Sequence, residues 1–97
     1  MSERERIYRR SADVVARQVG LESILVPIRH NVGNLDFVYT LSPVAARIWT
    51  LVDGNRSIAA IADELCSEFD VDSDTAAADV TALLEDLASA SLVARVS

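Results

Sequence analysis

Tyr39-Thr40-Leu41-Ser42-Pro43-Val44-Ala45-Ala46-Arg47-Ile48-Trp49-Thr50-Leu51-Val52-Asp53-Gly54 is the stretch at which the chain changes character. Up to Leu41 the apolar residues alternate, as in a strand whose side chains point to opposite faces in turn. From Ser42 onward they recur three and four apart, as on one side of a helix. Ser42-Pro43 marks the boundary. A serine can cap the orphan N–H groups of a first helical turn, and a proline just inside it loses no needed donor and has φ already set. Val44, Ile48, Leu51 and Val52 then form the apolar stripe, with Trp49 beside them as a core side chain, and Asp53-Gly54 stops the helix.

Working toward the N-terminus, three strands are expected. Asp36 to Leu41 places Phe37, Tyr39 and Leu41 on one face. Glu22 to Ile28 places Ile24, Val26 and Ile28 on one face, and Pro27 should sit at a bulge or where a neighbouring strand has ended. Val14 to Val19 is rich in β-branched residues and ends at Gly20, a turn signal. Connections this short favour antiparallel neighbours. Residues 1–11 have little apolar content and are expected to form a flexible arm ahead of one domain over residues 12–97.

Toward the C-terminus, Ser57 caps a second helix with the stripe Ile58, Ile61, Ala62, Leu65 and Phe69. Asp72 or Ser73 opens a third, with Ala76, Val80, Leu83, Leu84 and Leu87 as its stripe. Leu92 to Val96 alternates weakly, as a short terminal strand would. The fold class is therefore α+β and winged-helix-like, a three-stranded antiparallel sheet followed by three helices.

The chain has 97 residues, enough for one domain burying roughly two thirds of its unfolded surface. Net charge is −6, and all nine basic residues are arginines, with Arg4, Arg6, Arg9 and Arg10 in the first ten positions. The remainder is more acidic still, which disfavours nucleic acid and an anionic membrane surface as partners. No apolar run reaches the ~20 residues of a membrane helix, and no apolar segment follows the N-terminus as in a signal peptide. The cytoplasm is the expected compartment.

Chemistry finds little to work with. One histidine, His30, and one cysteine, Cys66, leave no paired metal-ligand motif and no internal disulfide. His30 is expected in a solvated loop and Cys66 as a small, partly buried side chain. No base and orienter accompany a nucleophile, and Gly20, Gly33 and Gly54 are too scattered for a phosphate loop. Asp70, Asp72 and Asp74 alternate as in a calcium loop, but the glycine and the closing glutamate are missing. No catalytic residue, metal site or cofactor is expected, and the protein is not expected to be an enzyme.

Binding remains. A winged-helix DNA-binding regulator would place the third helix in a major groove. From Asp72 to Leu87, however, that helix carries five carboxylates and no arginine. An acidic carrier protein would need a modified serine at a helix N-terminus, whereas Ser89 and Ser91 lie at a helix end. Peptide recognition fits better, because an edge strand can template an added strand. On the third helix, Ala77, Thr81, Leu84 and Ala88 flank the core stripe on one side, and Asp79 and Asp86 on the other. A structural subunit dimerising through the same strand edge is the alternative within this class.

The motifs Tyr39-Thr40-Leu41-Ser42, Ala45 to Gly54, Ser57 to Leu65, Phe69-Asp70-Val71, Asp79-Val80, Leu83 to Leu87 and Leu92-Val93, in this order, resemble the PqqD family over about residues 14–96. The resemblance implies a recognition element for ribosomally made, post-translationally modified peptides. Such a domain would bind the leader of a precursor peptide as a strand beside its third strand and against its third helix. It would then present the precursor to a modifying enzyme, a radical SAM protein or another maturase. Carried onto this chain, the edge would be Phe37, Val38, Tyr39 and Thr40, and the opposing wall Ala77, Thr81 and Leu84, with the Asp79 and Asp86 flank as the competing choice. Two positions depart from the family pattern. Ser42 replaces an asparagine of equal capping ability, and Ser91 replaces a glycine after the third helix, which is therefore expected to end differently or to fray.

Overall fold

The computed structural model describes residues 3–28 and 39–96. After a 3-10 turn over Glu3–Glu5, the elements are β1 (Tyr8–Arg10), β2 (Val14–Val19), β3 (Glu22–Pro27), β4 (Tyr39–Leu41), α1 (Pro43–Leu51), α2 (Ile58–Glu68), α3 (Ser73–Ser89) and β5 (Val93–Arg95). β2, β3 and β4 form the expected three-stranded antiparallel sheet, in that order. The three helices follow it, capped by Ser42 and Ser57 as expected and, of the two candidates for the third, by Asp72. Ser42, Ser57 and Asp72 accept from the backbone N–H groups of Ala45, Ala60 and Thr75.

Gly20 makes the first reversal. With φ at +63° it opens a two-residue turn between the paired Val19 and Glu22, a conformation glycine adopts without a Cβ penalty. Pro27 is the last residue of β3, and the positions that would face it across the ladder to β4 lie outside the described residues. The inward face of the sheet is the one carrying Leu25, Tyr39 and Leu41. Leu25 and Leu41 are buried and Tyr39 packs against the core. The apolar alternation of Ile24, Val26 and Ile28 therefore lies on the outward face.

The N-terminal segment is the main departure from expectation. Instead of a flexible arm across residues 1–11, β1 pairs antiparallel with β5 in a second, two-stranded sheet. Tyr8 is only 5% exposed. Its carbonyl accepts from Gly54 N–H at 3.0 Å, the Arg6 carbonyl accepts from Ile58 N–H at 3.0 Å, and the Ile7 carbonyl accepts from Val96 N–H at 2.7 Å. Gly54 takes φ +83° in the α1–α2 turn against this strand, a backbone conformation that side chains with a Cβ rarely adopt. The arm looked loose because one tyrosine among arginines has no period; its partner strand is at the other end of the chain.

α3 ends without fraying. Ser91 N–H donates to the Ala88 carbonyl at 3.0 Å and Leu92 N–H to the Leu87 carbonyl at 2.8 Å, the paired bonds of a Schellman cap. Ser91 takes φ +63° to make them. Leu92 is fully buried behind the cap, and Ser11 clamps it, donating from its hydroxyl to the Ser91 carbonyl and from its N–H to the Leu92 carbonyl. Burial of Leu92 and the two Ser11 bonds outweigh the cost of a serine in the left-handed region.

The core joins Ile48, Trp49 and Leu51 of α1, Ile58, Ile61 and Leu65 of α2, and Val80, Leu84 and Leu87 of α3. Cys66 is half-buried against it. Arg47 bridges α1 and α2 by a two-pronged pair with Glu68, both contacts at 2.7 Å.

Candidate functional site

The β4 edge of the three-stranded sheet, which no described strand pairs, is shaped by the phase of its hydrogen bonds. The pair flanking a two-residue hairpin turn exchanges both main-chain bonds, so Val19 and Glu22 set the phase. Ile28 N–H, donating to the Asp13 carbonyl at 2.7 Å, keeps it to the far end. The even-numbered residues of β3 therefore bond to β2 and the odd ones to β4. Tyr39 and Leu41, opposite Leu25 and Ser23, commit their main-chain groups to β3. Thr40, opposite Ile24, turns its N–H and C=O to the open side. Its side chain is exposed on the outward face. Phe37 and Val38, expected in the same edge, lie outside the described residues, as does His30.

The expected wall residues are distributed differently from one another. Leu84 is 1% exposed and belongs to the core. Ala77 is buried, and Thr81 is half-buried with its hydroxyl donating to the Ala77 carbonyl at 2.8 Å. Both line a groove of about 370 Å³ whose other wall is Glu3 and Arg4, and no residue of β4 lines it. Arg4 meets Asp74 at 2.9 Å and Arg6 meets Glu85 at 3.6 Å, so the N-terminal turn is tied to this flank of α3 by exposed ion pairs. On the opposite flank, Asp79 and Asp86 are exposed and Leu83 is half-buried.

A second groove, of about 280 Å³, lies between the sheet and α1, lined by Arg17, Gln18, Ser23, Leu41, Trp49 and Thr50. Trp49 is buried as expected, with the Arg10 guanidinium 5.9 Å from its ring centre. Nothing in the sequence marks Arg17 or Ser23 for this place, because the groove draws on three separated segments.

Three carboxylates are held below their ordinary pKa. Asp53 accepts from the backbone N–H groups of Arg56 and Asn55, Asp72 from that of Thr75, and Glu68 pairs with the Arg47 guanidinium, whose own pKa is raised by the same contact. All are caps, turns or helix braces. Among the described residues no group of three or more His, Cys, Asp and Glu could hold a metal ion. No described helix is long and apolar enough to cross a membrane. What the arrangement offers a partner is main-chain donors and acceptors on a sheet edge, and, on α3, small residues on one flank and acids on the other.

The family model for coenzyme PQQ synthesis protein D, PqqD, matches residues 22–93. The chain belongs to the PqqD family. None of the curated proteins matches this PqqD-family chain. Two solved structures resemble it. One is TbiB1 in complex with the TbiA(beta) leader peptide, at 28% identity and a TM-score of 0.71, covering 88% of this chain and 93% of that one. The other is lasso peptide synthetase B1 complexed with the leader peptide, at 23% identity and a TM-score of 0.75, covering 90% and 96%. The second likeness carries the fold alone.

Proposed function

We propose that this PqqD-family protein captures the leader segment of a ribosomally made precursor peptide as an added strand on β4 and presents it to a modifying enzyme, without catalysing the modification itself. The observation that carries this function is the outward main chain of Thr40 on an open sheet edge, in a fold that TbiB1 shares while complexed with a leader peptide. Ladder bonds supply affinity without regard to sequence, and pockets for alternate side chains supply selectivity. Phe37 and Val38 would continue the edge upstream of Tyr39 and Thr40. Ala77 and Thr81 face Glu3 and Arg4, and Leu84 is in the core. We therefore assign the wall opposite the added strand to the flank of α3 with Asp79, Leu83 and Asp86. The maturase, a radical SAM protein or another peptide-modifying enzyme, would work in the cytoplasm, where the precursor is made. A DNA-binding role has no support in α3, which carries no basic residue.

The test is affinity capture from host lysate, with peptides identified by mass spectrometry and affinity then measured on the recovered peptide. The wild-type chain should retain a short precursor peptide, and Thr40→Pro, which removes the outward donor, should retain none while its circular dichroism is unchanged. Asp79→Arg and Asp86→Arg should weaken binding, and Thr81→Arg should not. Equal capture by the wild type and Thr40→Pro would overturn the strand-addition site.

A further inference from the structure

The same phase that opens Thr40 on β4 opens a second edge. In β2, Val15, Arg17 and Val19 bond to β3, so Val14, Ala16 and Gln18 turn their N–H and C=O groups away from the sheet. Exposed edges are ordinarily blunted by lysine, proline, a bulge or extreme shortness. β2 has none of these. It is six residues long, paired without interruption to β3, and carries one charge, Arg17. Its outward face is apolar besides. Val19 is 59% exposed, and Val15 lies beside Ile24 and Val26 of β3, none of them among the residues packed on the core.

We propose that β2 is an interaction edge whose occupant is β2 of a second copy of this chain. The charges favour this occupant and set its register. Asp13, in the turn just ahead of β2, accepts through its carbonyl from Ile28 N–H, and the alternation of β2 carried one residue back would put it on the face of Val15 and Arg17. Neither Asp13 nor Arg17 forms an ion pair with another described residue of its own chain. An antiparallel two-fold pairing centred on Val15 sets Asp13 of each copy directly opposite Arg17 of the other, Val14 opposite Ala16, and Val15 against Val15. It uses the outward groups of Val14 and Ala16 as its hydrogen-bonded pairs. Opposite charges and paired β-branched residues are the favourable cross-strand contacts. The next register, centred on Ala16, would set Arg17 opposite Val15 and Asp13 opposite Val19 with no charge pair, and the one after it, centred on Arg17, would set like charges face to face. The isologous dimer is a continuous six-stranded sheet with β4 at both outer edges, so each copy keeps its own β4 free. The proposal does not depend on what β4 binds.

Sedimentation equilibrium of the full chain, from about micromolar to about millimolar concentration, tests it. A monomer–dimer equilibrium is expected. Ala16→Pro, which removes a donor that the monomer does not use, should leave a monomer with an unchanged circular dichroism spectrum. Arg17→Asp should weaken the dimer about tenfold, since two attractive pairs become repulsive, and Asp13→Arg added to it should restore association. A chain monomeric throughout, a dimer indifferent to Ala16→Pro, or a charge swap that fails to rescue would overturn the proposal. So would a dimer that Thr40→Pro dissolves, which would move the contact to β4.

Discussion

Ser91 carries the left-handed turn that closes α3, where a glycine would hold φ +63° without its Cβ meeting the following carbonyl. Ser91→Gly should therefore stabilise the fold by about 1 kcal/mol, read as a higher urea midpoint at unchanged slope. A lowered midpoint would mean that the serine side chain earns its place by a contact worth more than the strain. The three depressed carboxylates set the response to acid. Each has a lower pKa folded than unfolded, so its contribution is present above the ordinary carboxylate range and is lost as the pH falls through the folded value. Stability should decline below about pH 4. Asp72→Asn keeps an N-cap side chain but cannot titrate, so its urea midpoint should vary less steeply with pH than that of the wild type. An unchanged slope would remove Asp72 from the acid response.

At the scale of the element, neighbouring residues of β4 have opposite duties. The N–H of Tyr39 belongs to the ladder with β3, and that of Thr40 to whatever is added outside. Tyr39→Pro should lower stability by about 3 kcal/mol in chemical denaturation, whereas Thr40→Pro should cost little stability and abolish peptide capture. If the two prolines lowered stability equally, the phase derived from the Gly20 turn would be wrong. The flanks of α3 divide in the same way. One is engaged by the N-terminal turn through Arg4 and Arg6, the other carries exposed acids. Those ion pairs are exposed, so they orient the turn more than they stabilise it.

Across the whole molecule, the second sheet closes the chain on itself. β1 lies between the α1–α2 turn, which it meets through Tyr8, and β5, to which it bonds in register, while Arg6 just ahead of it accepts from the start of α2. Tyr8→Ala should cost about 3 kcal/mol, as for other large core side chains cut to alanine. A loss below ~0.5 kcal/mol, the range of surface substitutions, would return the segment to the status of a loose arm.

Local order was legible because it depends on neighbours in the chain. The caps Ser42 and Ser57, the choice of Asp72 or Ser73 for the third, the helical stripes, the turn at Gly20 and the terminal strand at Val93 all follow from spacing and from what each residue does to its own backbone. The family resemblance rested on the same local motifs. Other features needed contacts between distant segments. Tyr8 becomes a core residue only when β5 and the α1–α2 turn meet it, and Ser91 tolerates its φ only because Ser11 and Leu92 hold it. Period-two alternation marks two faces without saying which is covered, so Leu25 could not be told from Ile24 until the helices chose a side. Nor does alternation say which main-chain groups face outward. That is decided by the pairing phase at Val19 and Glu22, and with it which residue of β4 can receive a peptide.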